Sequence, residues 1–451
     1  MRVYFLTLGC RVNQYETDAA RRLFLDNGHI CVDEPEEADV CVVNTCSVTG
    51  EADRKSFQML RRMAKKNPNA VVVAMGCSSE ITNGDVPADI VIGTREKNSV
   101  VSRVEDFVAH LGERTLDHSS THERPEVSKT DVYHDFGTVL SPEGTRAFIK
   151  IEDGCNNFCT YCIIPYTRGR VASRDEEACV KEAEFLVKSG YKELIVSGIH
   201  LCSYGKDKGK DISALMNILK RIDAIPGIER LRLGSLEPKS MTPEFIGGLK
   251  ELKHLCPHFH LSLQSGSDTV LKRMNRKYTL AEYEDRVNAL RAEFPDMSLT
   301  TDIITGFPGE TEDEFSETIA FAGKMRFAKI HVFPYSVREG TVAASMDQID
   351  MSVRKTRARR LIEVSDRLSA AFASALIGKE VEVLVEKLEN RDGKLIAEGY
   401  TTNYVRAFVD VEDSNISRGD LIKGTVYGTE CEICLIKQQN HNEKLSNLNN
   451  I

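Results

Sequence analysis

The chain has 451 residues, 41% hydrophobic and 28% charged, which is ordinary for a globular protein and long enough for two or more domains with cores of their own. It opens on no basic, apolar leader and holds no apolar run long enough to cross a bilayer, so a cytoplasmic location without membrane partners is expected. Thirteen cysteines make a poor disulfide set but an available set of thiolate ligands in a reducing compartment, and a net charge of -9 argues against indiscriminate binding to polyanions while permitting one local basic face.

In the first hundred residues, apolar runs at 3–8, 40–43 and 71–75 read as short buried strands. Each is followed at once by a cysteine: Cys10, Cys46 or Cys77. Helical patterns fill the gaps, one at 13–26 closed by Asn27-Gly28 and one at 51–66 followed by Asn67-Pro68. This β-α-β-α-β order predicts a parallel α/β sheet whose strand carboxyl ends share one edge, where such sheets bind ligands. A single buried cysteine is an ordinary core residue. Three at equivalent strand ends read as one ligand set, whereas Cys31 and Cys41, before and within a strand, read as structural.

The polar stretch from 116 to 143 reads as a linker. A second domain is expected over 144–375, with strands at 147–151, 193–196, 230–233, 258–263, 299–304 and 330–335 separated by helical patterns. Six βα units predict a partial (β/α)6 barrel, whose chemistry belongs at the strand carboxyl ends. Gly198, His200, Glu237, Gln264, Asp302 and Tyr335 stand at that edge as candidate polar or ligand-binding positions, although polar residues are common in any loop.

Directly after the first strand of this set comes Cys155-Asn-Asn-Phe-Cys-Thr-Tyr-Cys162. Three thiolates hold three irons of a 4Fe-4S cube and leave one iron open to a small molecule, whereas electron carriers close all four positions. Structural zinc wants a fourth ligand, and no Cys or His stands nearby in sequence. Further on, strands at 381–385, 395–398, 405–411, 420–426 and 432–436 predict a small OB-like β-barrel over 376–438, a fold that commonly binds single-stranded or looped nucleic acid. Tyr400, Tyr404, Arg406 and Phe408 are its candidate RNA contacts. The Cys431-x2-Cys434 pair is half a metal site and reads as a non-ligand, and 439–451 reads as a disordered tail. Arg61-Arg62 with Lys65-Lys66, Lys272-Arg273 with Arg276-Lys277, and the cluster from Arg354 to Arg360 are candidate phosphate-facing patches, with a solvated helix face as the alternative.

The cysteine triplet, with aromatic Tyr161 before its last member, resembles the radical S-adenosylmethionine (SAM) motif. Ile163 to Arg174, Gln264-Ser-Gly-Ser-Asp268 and Gly306-Phe-Pro-Gly-Glu-Thr311 resemble the methylthiotransferases of that superfamily. The resemblance covers nearly the whole chain and implies two 4Fe-4S clusters, one on Cys155, Cys159 and Cys162 and an auxiliary one on Cys10, Cys46 and Cys77. It implies S-adenosyl-L-methionine bound near Tyr161, Gly198, Glu237, Gln264 and Asp302, and an RNA-binding barrel of the TRAM type at the carboxyl end, with Tyr404 and Arg406 toward RNA. A reduced flavodoxin- or ferredoxin-type protein is the electron donor it implies. In such enzymes the radical from S-adenosylmethionine removes hydrogen from an adenosine C2, and a methylthio group takes its place.

Thr7-Leu-Gly-Cys-Arg-Val-Asn-Gln-Tyr-Glu-Thr17, Tyr191 to His200 and His331-Val-Phe-Pro-Tyr-Ser336 resemble the branch that modifies N6-threonylcarbamoyladenosine beside the anticodon of tRNA. The isopentenyladenosine branch is the alternative within the family. An iron-sulfur electron carrier or a pure RNA-binding protein is the alternative outside it.

Overall fold

A computed structural model describes residues 1–112, 116–123, 125, 131–139, 144–391, 393–411 and 415–439. Nearly all of the expected terminal tail therefore lies outside the described residues.

The amino-terminal part is a sheet of β1 (Arg2–Thr7), β2 (Ile30–Val32), β3 (Val40–Thr45), β4 (Val71–Gly76) and β6 (Ile90–Ile92), all parallel in the order β2-β1-β3-β4-β6. β3 and β4 are buried along their whole length, as both faces are covered, which is why they read as unbroken apolar runs. Around them pack α1 (Arg11–Asp26), α2 (Gly50–Lys66), α3 (Cys77–Ile81) and α4 (Val100–Leu111). The Thr49 hydroxyl accepts from the Ala52 amide at 3.1 Å to start α2, with Glu51 and Asp53 in its first turn and Lys65 and Lys66 in its last, each matched to the helix dipole.

The polar stretch expected as a linker takes part in the fold. β7 (Ser120–His122) pairs antiparallel with β5 (Gly84–Val86), and the Tyr133 hydroxyl donates to the Lys150 carbonyl at 2.9 Å. Among its described residues, His118 bonds the Asp89 carboxylate at 2.9 Å and the Ser120 hydroxyl donates to the Asp89 carbonyl at 3.0 Å, a use that periodicity does not reveal.

Six parallel strands follow: β8 (Arg146–Asp153), β10 (Glu193–Gly198), β11 (Arg230–Leu233), β12 (His258–His260), β13 (Ser298–Thr305) and β14 (Lys329–Pro334). The isolated bridges Leu231–Leu255 and Leu236–Leu261 join β11 to the β12 side, giving one curved sheet, and β9 (Ala172–Ser173) pairs with the end of β8. Outside it lie α5 (Ile164–Thr167), α6 (Glu176–Lys188), α7 (Ser213–Asp223), α8 (Pro243–Lys250), α9 (Asp268–Arg273), α10 (Leu280–Glu293), α11 (Glu312–Met325) and α12 (Met351–Ser374). Ala147, Ile149, Ile151, Leu194, Val196, Leu231, Leu233, Phe259, Leu299, Ile303 and Ile330 all enter the core beneath these helices. The alternate positions therefore face inward, and they are mostly polar: Arg146, Lys150, Glu152, Glu193, Arg232, His258, His260, Thr300, Asp302 and His331.

The sheet does not close, and β14 is its far edge. Ser365 on α12 covers that edge by exchanging hydrogen bonds with Ile330 backbone groups at 3.0 and 3.3 Å. At the other edge α1 lies along β8, with the Arg11 guanidinium 5.7 Å from the Phe148 ring. The chain ends in a closed barrel, β15 (Glu380–Arg391), β16 (Lys394–Thr401), β17 (Arg406–Val411), β19 (Ile433–Gln438) and β18 (Leu421–Glu430), with its own apolar core.

Candidate active site

Each cysteine of the first set stands where a strand of the first sheet ends. Cys10 caps α1 and is exposed; Cys46 follows β3 and Cys77 opens α3, both buried. Asn13 sits among them, its Oδ1 3.7 Å from the Cys10 sulfur and 4.0 Å from that of Cys77. The approach needs a glycine: Gly9 has φ +104°, and a Cβ there would lie 2.8 Å from the Cys46 sulfur. Burial pushes the Cys46 thiol up to about 11 and raises that of Cys77. Such thiols ionise readily only against a cation, which is what an iron-sulfur cluster provides. Cys31 and Cys41 pack into apolar clusters instead, as expected.

The second set follows β8 in a loop built on backbone contacts. The Thr160 amide donates to the Met274 carbonyl at 3.1 Å, and the Cys162 amide to that of Cys159 at 3.0 Å. Phe158 adopts φ +47°, its carbonyl accepting from Asn275 at 3.1 Å and its ring lying 4.3 Å beneath the Arg170 guanidinium. Burial raises the Cys155 thiol and pushes that of Cys162 up to about 12. Arg276 donates to the Cys159 sulfur at 3.3 Å and pairs with Glu237 at 3.0 Å. The donor sets, three thiols each at strand carboxyl ends, suit clusters with one iron left open.

Around this loop, the other expected positions fall as follows. Tyr161 packs edge-on to Phe307, 6.5 Å between centroids. Gly198 ends β10 so close to Glu152 that a Cβ would stand 2.7 Å from its Oε2. Glu237 also meets His200 at 3.4 Å, and His200 is held by Asn157 at 2.9 Å and Ser203 at 2.7 Å. Gln264 adopts φ +72°, and its amide donates to the Asp302 carbonyl at 2.9 Å. Asp302 itself points to His260 on the neighbouring strand β12, Oδ2 to Nε2 3.3 Å. In the small barrel, Arg406 is exposed and paired to Glu398 at 2.6 Å. Tyr404 turns toward the inner face of the six-strand sheet: its hydroxyl accepts from Arg11 at 2.6 Å, and its ring lies 4.6 Å from the Arg232 guanidinium and 4.9 Å from the His258 ring.

Between the two thiol sets runs a buried charge network that the sequence reading missed. Glu16 on α1 accepts from Arg168 at 2.6 Å and Lys150 at 2.8 Å and pairs with Lys97, while Arg168 also donates to Asn13 at 2.7 Å. Its carboxyl is held well below the ordinary range, because the three cations outweigh the penalty of burial. Glu152, fully buried with one oxygen bonded to the His200 amide at 2.7 Å, is pushed the other way, well above its ordinary value, by burial. One signal existed in the sequence: Arg146-Ala-Phe-Ile-Lys-Ile-Glu-Asp153 alternates polar and apolar inside an otherwise buried strand.

The expected basic patches need correction. Arg354 and Arg357 are buried and Arg276 is half-buried, Arg354 bonding the Tyr335 carbonyl at 3.0 Å and Arg357 the Glu310 carboxylate at 2.8 Å. Long cationic side chains next to helix formers serve here as internal struts. Arg61, Arg62 and Lys65 on α2 do lie at or near the surface.

Two family models match the chain: the radical SAM superfamily over residues 149–322 and the uncharacterized protein family UPF0004 over residues 2–92. Among curated proteins, it is 40% identical to the threonylcarbamoyladenosine tRNA methylthiotransferase MtaB of Bacillus subtilis, covering 91% of each chain. It is 37% identical to the protein of the same name from Aquifex aeolicus, over 89% of this chain and 95% of that one. A tRNA-2-methylthio-N(6)-dimethylallyladenosine synthase of Thermoanaerobacter is 36% identical over 90% and 86%. Among solved structures, the radical S-adenosylmethionine methyltransferase TsrM of Kitasatospora setae shares the fold, with TM-score 0.55 and 14% identity over 76% of this chain and 74% of that one.

Proposed function

This chain belongs to the tRNA methylthiotransferases of the radical SAM superfamily, and we propose that its substrate is the N6-threonylcarbamoyladenosine beside the tRNA anticodon. Bound S-adenosyl-L-methionine and two 4Fe-4S clusters supply the methyl group, the sulfur and the hydrogen-abstracting radical of this family's chemistry. Cys155, Cys159 and Cys162 would hold the cluster that binds S-adenosylmethionine, and Cys10, Cys46 and Cys77 the auxiliary one. Arg276 holds Glu237 beside Cys159 of the triplet, and Gly198, Tyr161, Glu237 and Gln264 are the positions we assign to S-adenosylmethionine. Glu16, Lys150 and Arg168 fix α1, and so Cys10, against the barrel strand that leads into the other triplet.

The observation that carries this reading is the placement of both thiol sets at strand carboxyl ends with one bonded network between them. The choice of substrate branch is favoured by the inner face of the six-strand sheet, which is polar. A dimethylallyl group can bond none of the polar groups of that face, whereas an acyl substituent with a hydroxyl and a carboxylate can. We assign residues 1–115 to the auxiliary-cluster domain, 144–375 to the radical domain and 376–438 to an RNA-binding barrel with Arg406 on its surface. A reduced flavodoxin or ferredoxin serves as donor. Nucleoside mass spectrometry of tRNA from a strain lacking the protein tests the substrate: the methylthio form of threonylcarbamoyladenosine should vanish and that of isopentenyladenosine remain. Cys155→Ala should abolish S-adenosylmethionine cleavage, whereas Cys46→Ala should keep cleavage and lose sulfur insertion; normal insertion by the second variant would refute the auxiliary-cluster assignment.

A further inference from the structure

The open wall of the six-strand sheet carries a cluster that the cysteine chemistry does not use. His260 on β12, Asp302 on β13 and His331 on β14 bring their ligand atoms within 4.8 Å of one another. Their inward direction follows from the strand alternation, since Phe259, Ile303 and Ile330 enter the core on the other side. His260 is fixed from both ends, Nδ1 bonding the Thr300 hydroxyl at 3.0 Å and Nε2 lying 3.3 Å from the Asp302 carboxylate. The His331 ring stands 5.8 Å from that of His260 and is exposed toward the opening. Across the gap, Arg11 follows Cys10 directly, and its guanidinium rests on the Phe148 and Tyr404 rings, bonding the Tyr404 hydroxyl at 2.6 Å. Among the described residues no carboxylate pairs with Arg11. The single acid of the group, Asp302, lies within 4.8 Å of both imidazoles and so is shared between His260 and His331, whereas the Arg11 guanidinium has no acid of its own among those residues.

The geometry points to an anion subsite in which Arg11 and His331 bind the carboxylate of the substrate's N6 substituent, with Asp302 positioning His260 beside it. This rests on the threonylcarbamoyl reading above and deepens it. Arg11 is exposed, and the Phe148 and Tyr404 rings together with the bond to the Tyr404 hydroxyl hold its guanidinium in place, which favours bidentate recognition of a carboxylate. The phosphate of an RNA backbone shares the same chemistry, and two imidazoles with a carboxylate can also hold a divalent metal.

The test uses the reconstituted full-length enzyme and anticodon stem-loop RNA whose adenosine carries either the threonylcarbamoyl acid or its neutral methyl ester. The readout is the ratio of kcat/KM for acid over ester. His331→Phe, which keeps a ring on the strand, should lower that ratio roughly ten- to a hundredfold, the range expected when a charge-assisted pair is lost, with the loss in KM rather than kcat. Arg11→Met should do the same with iron content unchanged. An unaltered ratio, including equal losses on acid and ester as a backbone phosphate contact would give, overturns the subsite. So does one zinc per wild-type chain that is lost in the His331 variant. A wild-type enzyme that ignores the acid and modifies isopentenyladenosine would overturn the substrate reading itself, which separates the two failures.

Discussion

Single buried charges carry much of this architecture. Glu193 lies fully buried between Arg232, 2.7 Å from its Oε1, and Arg230 at 3.5 Å, and Arg230 reaches on to Glu382 of the small barrel at 3.1 Å. Replacing Glu193 with Gln leaves the buried Arg232 guanidinium without its carboxylate, while Arg230 keeps Glu382, and should cost about 3–5 kcal/mol, read as a lower urea midpoint at pH 7. The Glu193 carboxyl is burdened by burial, yet Arg232 first and the other arginines with it hold it below its ordinary value of 4.5. A depressed folded value means that the contribution is complete above 4.5 and is lost as pH falls below it. The stability gap between wild type and variant should therefore shrink on acidification below 4.5. A gap that persisted undiminished into strong acid would show that packing, not charge, is what the substitution removes.

At the scale of elements, the strand-to-helix corners determine what the cysteines can do. The corner after β1 turns through Gly9 in a left-handed region that L side chains rarely adopt, with Cys46 packed against it. Gly9→Ala should push Cys46 away from the corner that carries Cys10 and lower the iron content of the reconstituted protein to about half, the triplet cluster remaining. Full iron in that variant would mean that the corner has slack that the close approach denies. These corners were legible because a glycine before a cysteine at a strand end is a local pattern. The inward faces of the barrel strands were less so: β12 holds three residues, too few for an alternation to stand out. Tyr404 was expected on an RNA-facing surface, and nothing local distinguishes that from its place over Arg232, because the same φ +64° turn serves either.

For the whole molecule, three bodies meet at one opening. The loop after β14 reaches the first sheet through Arg338, which bonds Ser47 at 2.6 Å beside Cys46 and pairs with Asp53 at 2.5 Å. α1 reaches the six-strand sheet through Glu16, and the small barrel reaches it through Tyr404 and Glu386, the latter paired with Arg146. Phosphate contacts to tRNA by an acidic chain need local basic groups, for which Arg61, Arg62 and Lys65 on the surface of α2 are the candidates. Affinity should then fall steeply, by about a factor of ten or more, between 50 and 200 mM salt. A flat response would remove phosphate contact from the account.

By itself the sequence determined the two cysteine sets, the strands that end at them and the order of the three folds, because spacing and periodicity are local and each strand end is marked by the residue that follows. Only the tertiary structure decided which polar residues meet. Lys150 and Arg168 find Glu16 across 134 and 152 positions of chain, Arg276 finds Cys159 across 117, and Arg11 finds Tyr404 across 393. Alternation tells which face of a strand a side chain takes but not what stands across from it, and a buried charge is stable only once packing has supplied the partner.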